Sequence, residues 1–194
     1  MEKVLLADEN SVRKAVMTLD EGGIVMHPTE TCYGLAADIF NKEALSKLYY
    51  VKDMKADKPL SILVDSPEMA LEYGTFSKKA LALAKKYWPG ALSIVVPRTE
   101  SLPKWFNPGN NFVSMRVSGL EFCREMVKHF GGPITTTSAN KAGEPEMYQP
   151  ETMAGIDLIV DGGLLAVNKP STIVMVDGDK LEVLRQGEVV VAMG

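Results

Sequence analysis

The chain is poor in cysteine and has no long apolar run, and each shortage excludes a class of protein. Its two cysteines, Cys32 and Cys123, are far apart and form no Cys-x-x-Cys pair. Neither a disulfide framework nor a thiolate metal site is therefore expected, and both thiols are predicted to be reduced. No stretch approaches the roughly 18 consecutive apolar residues of a membrane-spanning helix, and the first residues lack an export signal. We therefore expect a cytoplasmic protein that does not contact a membrane.

Nucleotide-binding loops and hydrolase motifs are also missing from the sequence. There is no Gly-x-x-x-x-Gly-Lys-Ser/Thr loop and no Gly-x-Gly-x-x-Gly turn after a strand, so an ATP site would need another design. The two histidines, His27 and His129, fit neither a catalytic triad nor a metal-ligand spacing, and no metal site is expected. We interpret both histidines as structural.

Positive charge is not in excess either. The chain has 21 Lys and Arg residues against 25 Asp and Glu residues, which gives a net charge of −4. Proteins that hold nucleic acid on a broad surface neutralise its phosphates with Lys and Arg, so at most weak contact with RNA is expected. The lysines of one predicted helix are interpreted as its solvated side: Lys78, Lys79, Lys85 and Lys86.

Helices and strands alternate along the chain, which is typical of a mixed α/β sheet. The 194 residues, 46% of them hydrophobic, are enough for one large core, so one domain is expected over residues 1–194. Asn10 and Asn41 are predicted to cap the first two helices, which end before Gly22 and near Lys52. Further helices are predicted at 76–88 and 120–130, and strands at 24–26, 91–96, 112–117, around 134, and at 158–160, 172–176, 181–184 and 189–192.

A polar segment follows the first predicted strand. That strand runs into Pro28, which cannot donate to a sheet ladder, and Thr29, Glu30 and Thr31 come next. Short polar side chains at the end of a strand suit ligand contact better than core packing. The segment is therefore a candidate pocket wall, and the alternative interpretation is an ordinary joint between two strands.

Other polar side chains stand at the ends of later elements. Apolar and polar residues alternate in the strand that ends at Val117, which places Arg116 on its polar face. Lys52 ends a helix, where it would bind phosphate or interact with the helix dipole. Ser138 and Asn140 would bind phosphate or adenosine, or would form an Asx or Ser/Thr turn.

Taken in order, these segments resemble the YrdC-like family over nearly the whole chain. The matching segments are Pro28–Leu35, Lys52–Leu60, Pro-Gly-Ala-Leu-Ser from Pro89, Met115–Val117, Thr137–Asn140 with Gly143, Ser171–Val174 and Leu184–Gly187. The resemblance implies an α/β fold in which helices flank an open, twisted, mixed sheet with a large concave cavity. It also implies that the separate C-terminal domain of longer family members is absent.

The activity implied by the resemblance is a nucleotidyl transfer. L-threonine, bicarbonate and ATP would give L-threonylcarbamoyladenylate and pyrophosphate, with Mg²⁺ on the ATP phosphates, and partner proteins would pass the threonylcarbamoyl group to tRNA. The implied threonine ligands are Thr29, Arg116 and Ser171. The implied ATP ligands are Lys52, Ser138, Asn140 and Arg185, of which Lys52 and Ser138 would be catalytic.

The chain departs from the family pattern in one segment. The family typically has Lys-x-Arg where this chain has Lys52-Asp53-Met54, so a second cation expected at the triphosphate is missing. Lys55 or Lys58 would have to replace it, although a lysine does not copy the bidentate contact of an arginine. The alternative to a synthase is therefore a catalytically impaired member of the family that keeps the cavity as a nucleotide- or RNA-binding module.

Overall fold

Ten strands pair in one mixed sheet and five helices cover it in this computed structural model, which describes residues 1–191. The helices are α1 (Ser11–Asp20), α2 (Lys42–Val51), α3 (Pro67–Tyr73), α4 (Lys78–Tyr87) and α5 (Glu121–Phe130). The strands are β1 (Glu2–Leu5), β2 (Val25–His27), β3 (Gly34–Ala36), β4 (Ser61–Leu63), β5 (Leu92–Pro97), β6 (Phe112–Arg116), β7 (Ile134–Ser138), β8 (Leu158–Asp161), β9 (Thr172–Asp177) and β10 (Lys180–Arg185).

The strand order is β1-β8-β2-β3-β7-β4-β6-β5-β9-β10, with β1 and β10 at the two edges. Strand β8 is parallel to β1 and β2, β4 is parallel to β6, and β5 is parallel to β9. The remaining neighbours are antiparallel. The predicted fold class, an open mixed α/β sheet, is confirmed.

The sheet has a hydrophobic core on each face because alternate residues of a strand point to opposite sides. In β2, Val25 packs in a cluster with Leu19 of α1, whereas Met26 belongs to a larger cluster that includes Leu48 of α2. Helices α1 and α5 thus cover one face, and α2, α3 and α4 contribute to the core on the other. Each face of the sheet thus carries its own hydrophobic cluster.

The predicted helices and their ends are largely confirmed. Asn41 Oδ1 accepts a hydrogen bond from the Ala44 N–H at 3.0 Å, and α2 ends before Lys52 as predicted. The predicted side-chain cap at Asn10 is wrong, since Asn10 makes no cap bond to α1. Its own N–H instead donates to Asp8 Oδ1 at 2.8 Å, which places a turn ahead of the helix.

Short elements escaped prediction. Strands β3 and β4 have three residues each, which is too short to show a period of two, and β1 and α3 were not predicted either. Residues 189–191 form no strand, so that part of the strand predicted at 189–192 is wrong, and Ala192 lies outside the described residues.

Within residues 1–191 no helix is long and apolar enough to cross a membrane.

Candidate functional site

A concave cavity of about 260 Å³ lies where the loop after β2 meets the ends of several strands. Its wall comes from the segment after α2, from β5, β6, β7 and β9, and from four residues after β2: Thr29, Thr31, Cys32 and Gly34. Hydroxyl groups, amides and cations dominate its polar lining. The cavity brings together all the site residues predicted from the sequence: Thr29, Lys52, Arg116, Ser138, Asn140, Ser171 and Arg185.

Thr29 uses its hydroxyl group within the turn that it begins. Thr29 Oγ1 donates to the Cys32 carbonyl oxygen at 2.7 Å and accepts from the N–H groups of Thr31 and Cys32 at 3.1 and 3.2 Å. A hydroxyl has one donor and two acceptor sites, so these contacts saturate it. Thr31 Oγ1, which lies 3.0 Å away and also lines the cavity, is the neighbouring hydroxyl that reaches toward Arg116.

Arg116 is the buried cation at one end of the cavity. It lies on the polar face of β6 as predicted, but that face forms the cavity wall, and its side chain is 6% exposed. Nη1 lies 3.2 Å from Glu30 Oε1 and 3.5 Å from Thr31 Oγ1. Within residues 1–191, the buried Nε of Arg116 has no hydrogen-bond partner. An unpaired buried donor costs about 1–3 kcal/mol, so a ligand that supplies an acceptor would recover that free energy.

Ser171 and Arg185 contact each other at the open side of the cavity. Arg185 donates from Nε and Nη2 to the Ser171 carbonyl oxygen at 3.0 and 2.9 Å, and from Nη2 to Ser171 Oγ at 3.0 Å. Ser93 Oγ lies 3.2 Å from the same hydroxyl. This packing requires glycine at 187, because a Cβ there would lie 2.0 Å from the Pro170 carbonyl oxygen. The predicted threonine ligand and the predicted ATP ligand are thus neighbours.

Lys52 is the buried cation at the other end of the cavity. Its ammonium group donates hydrogen bonds to the end of β7 and the loop that follows it. Lys52 Nζ donates to the carbonyl oxygens of Ser138 at 2.5 Å and Asn140 at 2.8 Å, and lies 3.4 Å from Asn140 Oδ1. An ammonium has three donors, so these contacts use all of them. Burial disfavours the charged form and lowers the pKa of Lys52 to about 8.

Ser138 and Asn140 form a turn that also faces the cavity. Ser138 Oγ donates to Asn140 Oδ1 at 2.5 Å, and Asn140 Nδ2 donates to the Glu144 carbonyl oxygen at 2.5 Å. Both residues line the cavity. The turn and the ligand-binding interpretation of this segment are therefore compatible, since the turn itself presents the polar groups.

Met54 replaces the arginine expected beside the triphosphate, and its neighbours lie on different surfaces. Met54 is partly buried, packs against the larger core and lines the cavity together with Lys58. Asp53 and Lys55 instead line a second, open groove on the other side of Met54. Of the two candidate replacement lysines, Lys58 is therefore the one that faces the cavity.

Sequence reasoning missed several polar residues of the lining. Ser61, Ser93 and Thr136 belong to it, and so does Glu146, the one acidic side chain that lines the cavity within the described residues. Ser93 left a usable signal, because it is a hydroxyl in the middle of the apolar strand β5. Glu146 follows no pattern in the sequence that would have marked it.

His27 and Cys123 are buried beside Pro28, at the start of the loop between β2 and β3. His27 Nδ1 is 3.0 Å from the Pro28 carbonyl oxygen, and burial lowers the pKa of His27 to about 4, so the ring is neutral at pH 7. Cys123 Sγ lies 3.5 Å from the same nitrogen, and burial raises the pKa of this thiol to about 12. Both cysteines are free, as predicted.

Comparison with known proteins places this site in a defined family. The family model described as "Telomere recombination", which covers the Sua5, YciO and YrdC proteins, matches residues 17–187. The chain is 31% identical over 170 residues to a threonylcarbamoyl-AMP synthase of Coxiella burnetii, covering 84% of this chain and 91% of that protein. It is also 31% identical over 173 residues to a threonylcarbamoyl-AMP synthase of Pyrococcus abyssi, covering 86% of this chain but 51% of that protein. The chain thus spans about half the length of this second relative.

The fold agrees with a solved structure of the same group. The crystal structure of P. abyssi Sua5 complexed with L-threonine superposes with a TM-score of 0.87 and 29% sequence identity. The match covers 96% of this chain and 56% of that one. The arrangement of strands that forms the cavity is therefore shared with a protein that has been crystallised with L-threonine.

Proposed function

Because this chain belongs to the Sua5/YciO/YrdC family, we propose that it is a threonylcarbamoyl-AMP synthase. It would convert L-threonine, bicarbonate and ATP into threonylcarbamoyl-AMP and pyrophosphate. The observation that carries this proposal is the buried Nε of Arg116, which has no partner within the described residues and belongs to a side chain that lines the cavity. A guanidinium edge of this kind matches the two oxygens of an amino-acid carboxylate.

The Arg116 end of the cavity would hold threonine. Arg116 would bind the α-carboxylate, and Ser171 Oγ, which lies 3.2 Å from Ser93 Oγ, would orient the amino-acid end. Thr29 would act mainly through the turn, since its own hydroxyl is saturated there. Thr31 Oγ1, next to Nη1 of Arg116, would complete the polar wall.

The Lys52 end would hold ATP, with Ser138 and Asn140 beside it, while Arg185, which contacts Ser171, would reach ATP from the threonine side. The amine of threonine would add to bicarbonate with loss of water to give a carbamate, whose oxygen would attack the α-phosphorus of ATP. A new P–O bond forms, the bond to the bridging oxygen breaks, and pyrophosphate leaves with the electron pair. Such a transfer requires positioning and positive charge more than covalent catalysis, which suits a site of cations, hydroxyls and amides.

We further propose that Mg²⁺ accompanies ATP. This ion usually binds through phosphate oxygens and one or two carboxylates, and Glu146 is a cavity-lining carboxylate that fits such a role. The product would be passed to tRNA in the cytoplasm by partner proteins. With a net charge of −4, the chain itself would make at most weak contact with tRNA.

A second candidate function is nucleotide binding without catalysis. It is favoured by Met54, an uncharged side chain at the position where the family places an arginine. In that case the cavity would bind ATP or an RNA nucleotide but would form no adenylate.

Calorimetry and mass spectrometry would separate the two candidates. Titrating the protein with L-threonine, with ATP and Mg²⁺, and with both together measures each affinity and their coupling. Incubation with bicarbonate and both substrates, followed by mass spectrometry, detects threonylcarbamoyl-AMP. We expect both ligands to bind and the adenylate to form. ATP binding without product would favour the binding module, and binding of neither ligand would contradict both candidates.

A further inference from the structure

Glu30 contacts Arg116 but is not part of the cavity lining. Its Oε1 lies 3.2 Å from Nη1 of Arg116, and the two side chains are 21% and 6% exposed. The pair is thus largely shielded from water. A buried ion pair offsets the cost of desolvating its charges only if further hydrogen bonds support it. The contact at Nη1 is an ion pair without a hydrogen bond, since Glu30 Oε1 and the Nε of Arg116 both have no hydrogen-bond partner within residues 1–191.

Ser118 and Gly119 hold the Glu30 side chain in this position. Ser118 Oγ accepts the Leu120 N–H at 3.2 Å and donates its own proton to Glu30 Oε2. Gly119 packs against the stem of Glu30, since a Cβ there would lie 3.5 Å from Glu30 Cγ. The orientation of the carboxylate is therefore set by the start of α5 and not by the cavity.

Glu30 stays ionised beside Arg116. Burial alone would raise the pKa of Glu30, but the Arg116 guanidinium and the Ser118 hydroxyl lower it below its ordinary value. Glu30 is thus a carboxylate at neutral pH and compensates the buried charge of Arg116 before any ligand arrives. The cation is held without consuming the Nε donor that a ligand would use.

We propose that Glu30 is a positioning residue that fixes the guanidinium of Arg116 so that its Nε edge faces the substrate carboxylate. This inference rests on the proposed function, because it takes the α-carboxylate of threonine as the ligand of that edge. A guanidinium that is free to rotate would lose the paired geometry that distinguishes arginine from a point charge. Glu30 would therefore affect the affinity for threonine and not the affinity for ATP.

Steady-state kinetics of Glu30 variants test this role. Glu30→Ala should raise the KM for L-threonine about tenfold to a hundredfold, the size of a lost charge-assisted contact, while the KM for ATP stays within about twofold. Glu30→Gln keeps an oxygen for Nη1 and should recover most of the loss. Glu125→Ala, which removes a more exposed carboxylate from α5, is the matched control and should change neither constant. If Glu30→Ala does not fold, Glu30→Asp, which withdraws the carboxylate by one methylene, should show the same selective rise.

A double-mutant comparison decides whether Glu30 acts through Arg116. In the Arg116→Ala background, Glu30→Ala should cause no further loss of threonine affinity by calorimetry. Equal increases in the KM for threonine and for ATP, or an undiminished effect without Arg116, would overturn the inference. If the wild-type protein binds no threonine, the proposed function fails. If the wild type binds threonine and Glu30→Ala binds it equally well, the inference fails while the proposed function stands.

Discussion

The two ends of the cavity hold their buried cations in different ways. At the Arg116 end, the Glu30 carboxylate forms an ion pair with Nη1 of the guanidinium, and Nε has no hydrogen-bond partner within the described residues. At the Lys52 end, the three donors of the ammonium are occupied by the loop of Ser138 and Asn140. In the proposed function, the first end would offer a free donor to a carboxylate, whereas the second would exchange internal contacts for phosphate contacts. Burial of a cation in a cavity wall therefore does not by itself make it available to a ligand.

The largest effect is expected from removing the preorganised cation. Arg116→Ala should weaken threonine binding by about 2 to 5 kcal/mol, the usual cost of truncating one partner of a buried charge pair, with little change in ATP binding. Calorimetry with each ligand measures both effects, and the exposed Arg13→Ala on α1 is the control. Equal loss of both ligands would mean that Arg116 supports the fold and not one end of the cavity.

Lys52→Ala and Ser138→Ala address the other end and should lower adenylate formation roughly 10²-fold, because groups that stabilise developing charge contribute about that much in rate. Threonine affinity should be nearly unchanged. Circular dichroism should verify folding, and the exposed Lys78→Ala serves as the control for Lys52. Turnover of Lys52→Ala at the wild-type rate would favour the helix-dipole interpretation of this lysine.

Met54→Arg would add a second cation, free to bind a ligand, to the Lys52 end of the cavity. The two ends would then differ less in the positive charge that they offer to a ligand. A charge-assisted contact with phosphate should tighten ATP binding by about 1.5 to 3 kcal/mol. Lys58 lines the cavity and Lys55 does not, so Lys58→Ala should weaken ATP binding while Lys55→Ala should not. If Lys58→Ala abolishes activity and Met54→Arg adds nothing, Lys58 already supplies the charge. Adenylate formation by Met54→Arg alone would identify the natural protein as the impaired form.

The smallest effect is expected from pH. Lys52 is protonated below its pKa of about 8 and loses its charge as the pH rises through that value. The kcat/KM for ATP reports groups of the free enzyme, so it should fall by about tenfold per pH unit above pH 8. Lys52→Arg, whose charge persists, should remove this decrease from whatever activity it retains. A wild-type profile that stays flat to pH 9 would contradict the assignment.

Much of the fold was predictable because its longer elements carry clear periods and caps. Helix α2 with its Asn41 cap, helix α5 and strands β5 and β9 follow directly from apolar spacing. The three-residue strands β3 and β4 were not predictable in this way, because they are stabilised by their partners in the sheet. Both lie in the middle of the strand order, so short strands can connect the two halves of a sheet.

The sequence predicted which residues line the cavity better than it predicted the contacts between their side chains. The family motifs placed Arg116, Ser171 and Arg185 in one site, and all three line the cavity. The pairing of Arg116 with Glu30, and of Arg185 with Ser171, joins residues that are distant in sequence and depends on the order of strands. No local pattern encodes such pairings. Glu146 was missed for the same reason, since its place in the lining depends on where its loop folds back.

The position of β10 at the edge of the sheet has a dynamic consequence for the site. An outermost strand is held on one side and is among the first segments to open locally. Opening of β10 would release Arg185, and with it the contact to Ser171, and would remove from the larger core only the packing of Leu181 and Val183. Occupancy of the cavity is thereby linked to a local opening equilibrium. Amide exchange in β10 should slow when ATP binds, whereas exchange in β2, which lies between the two cores and does not line the cavity, should not change.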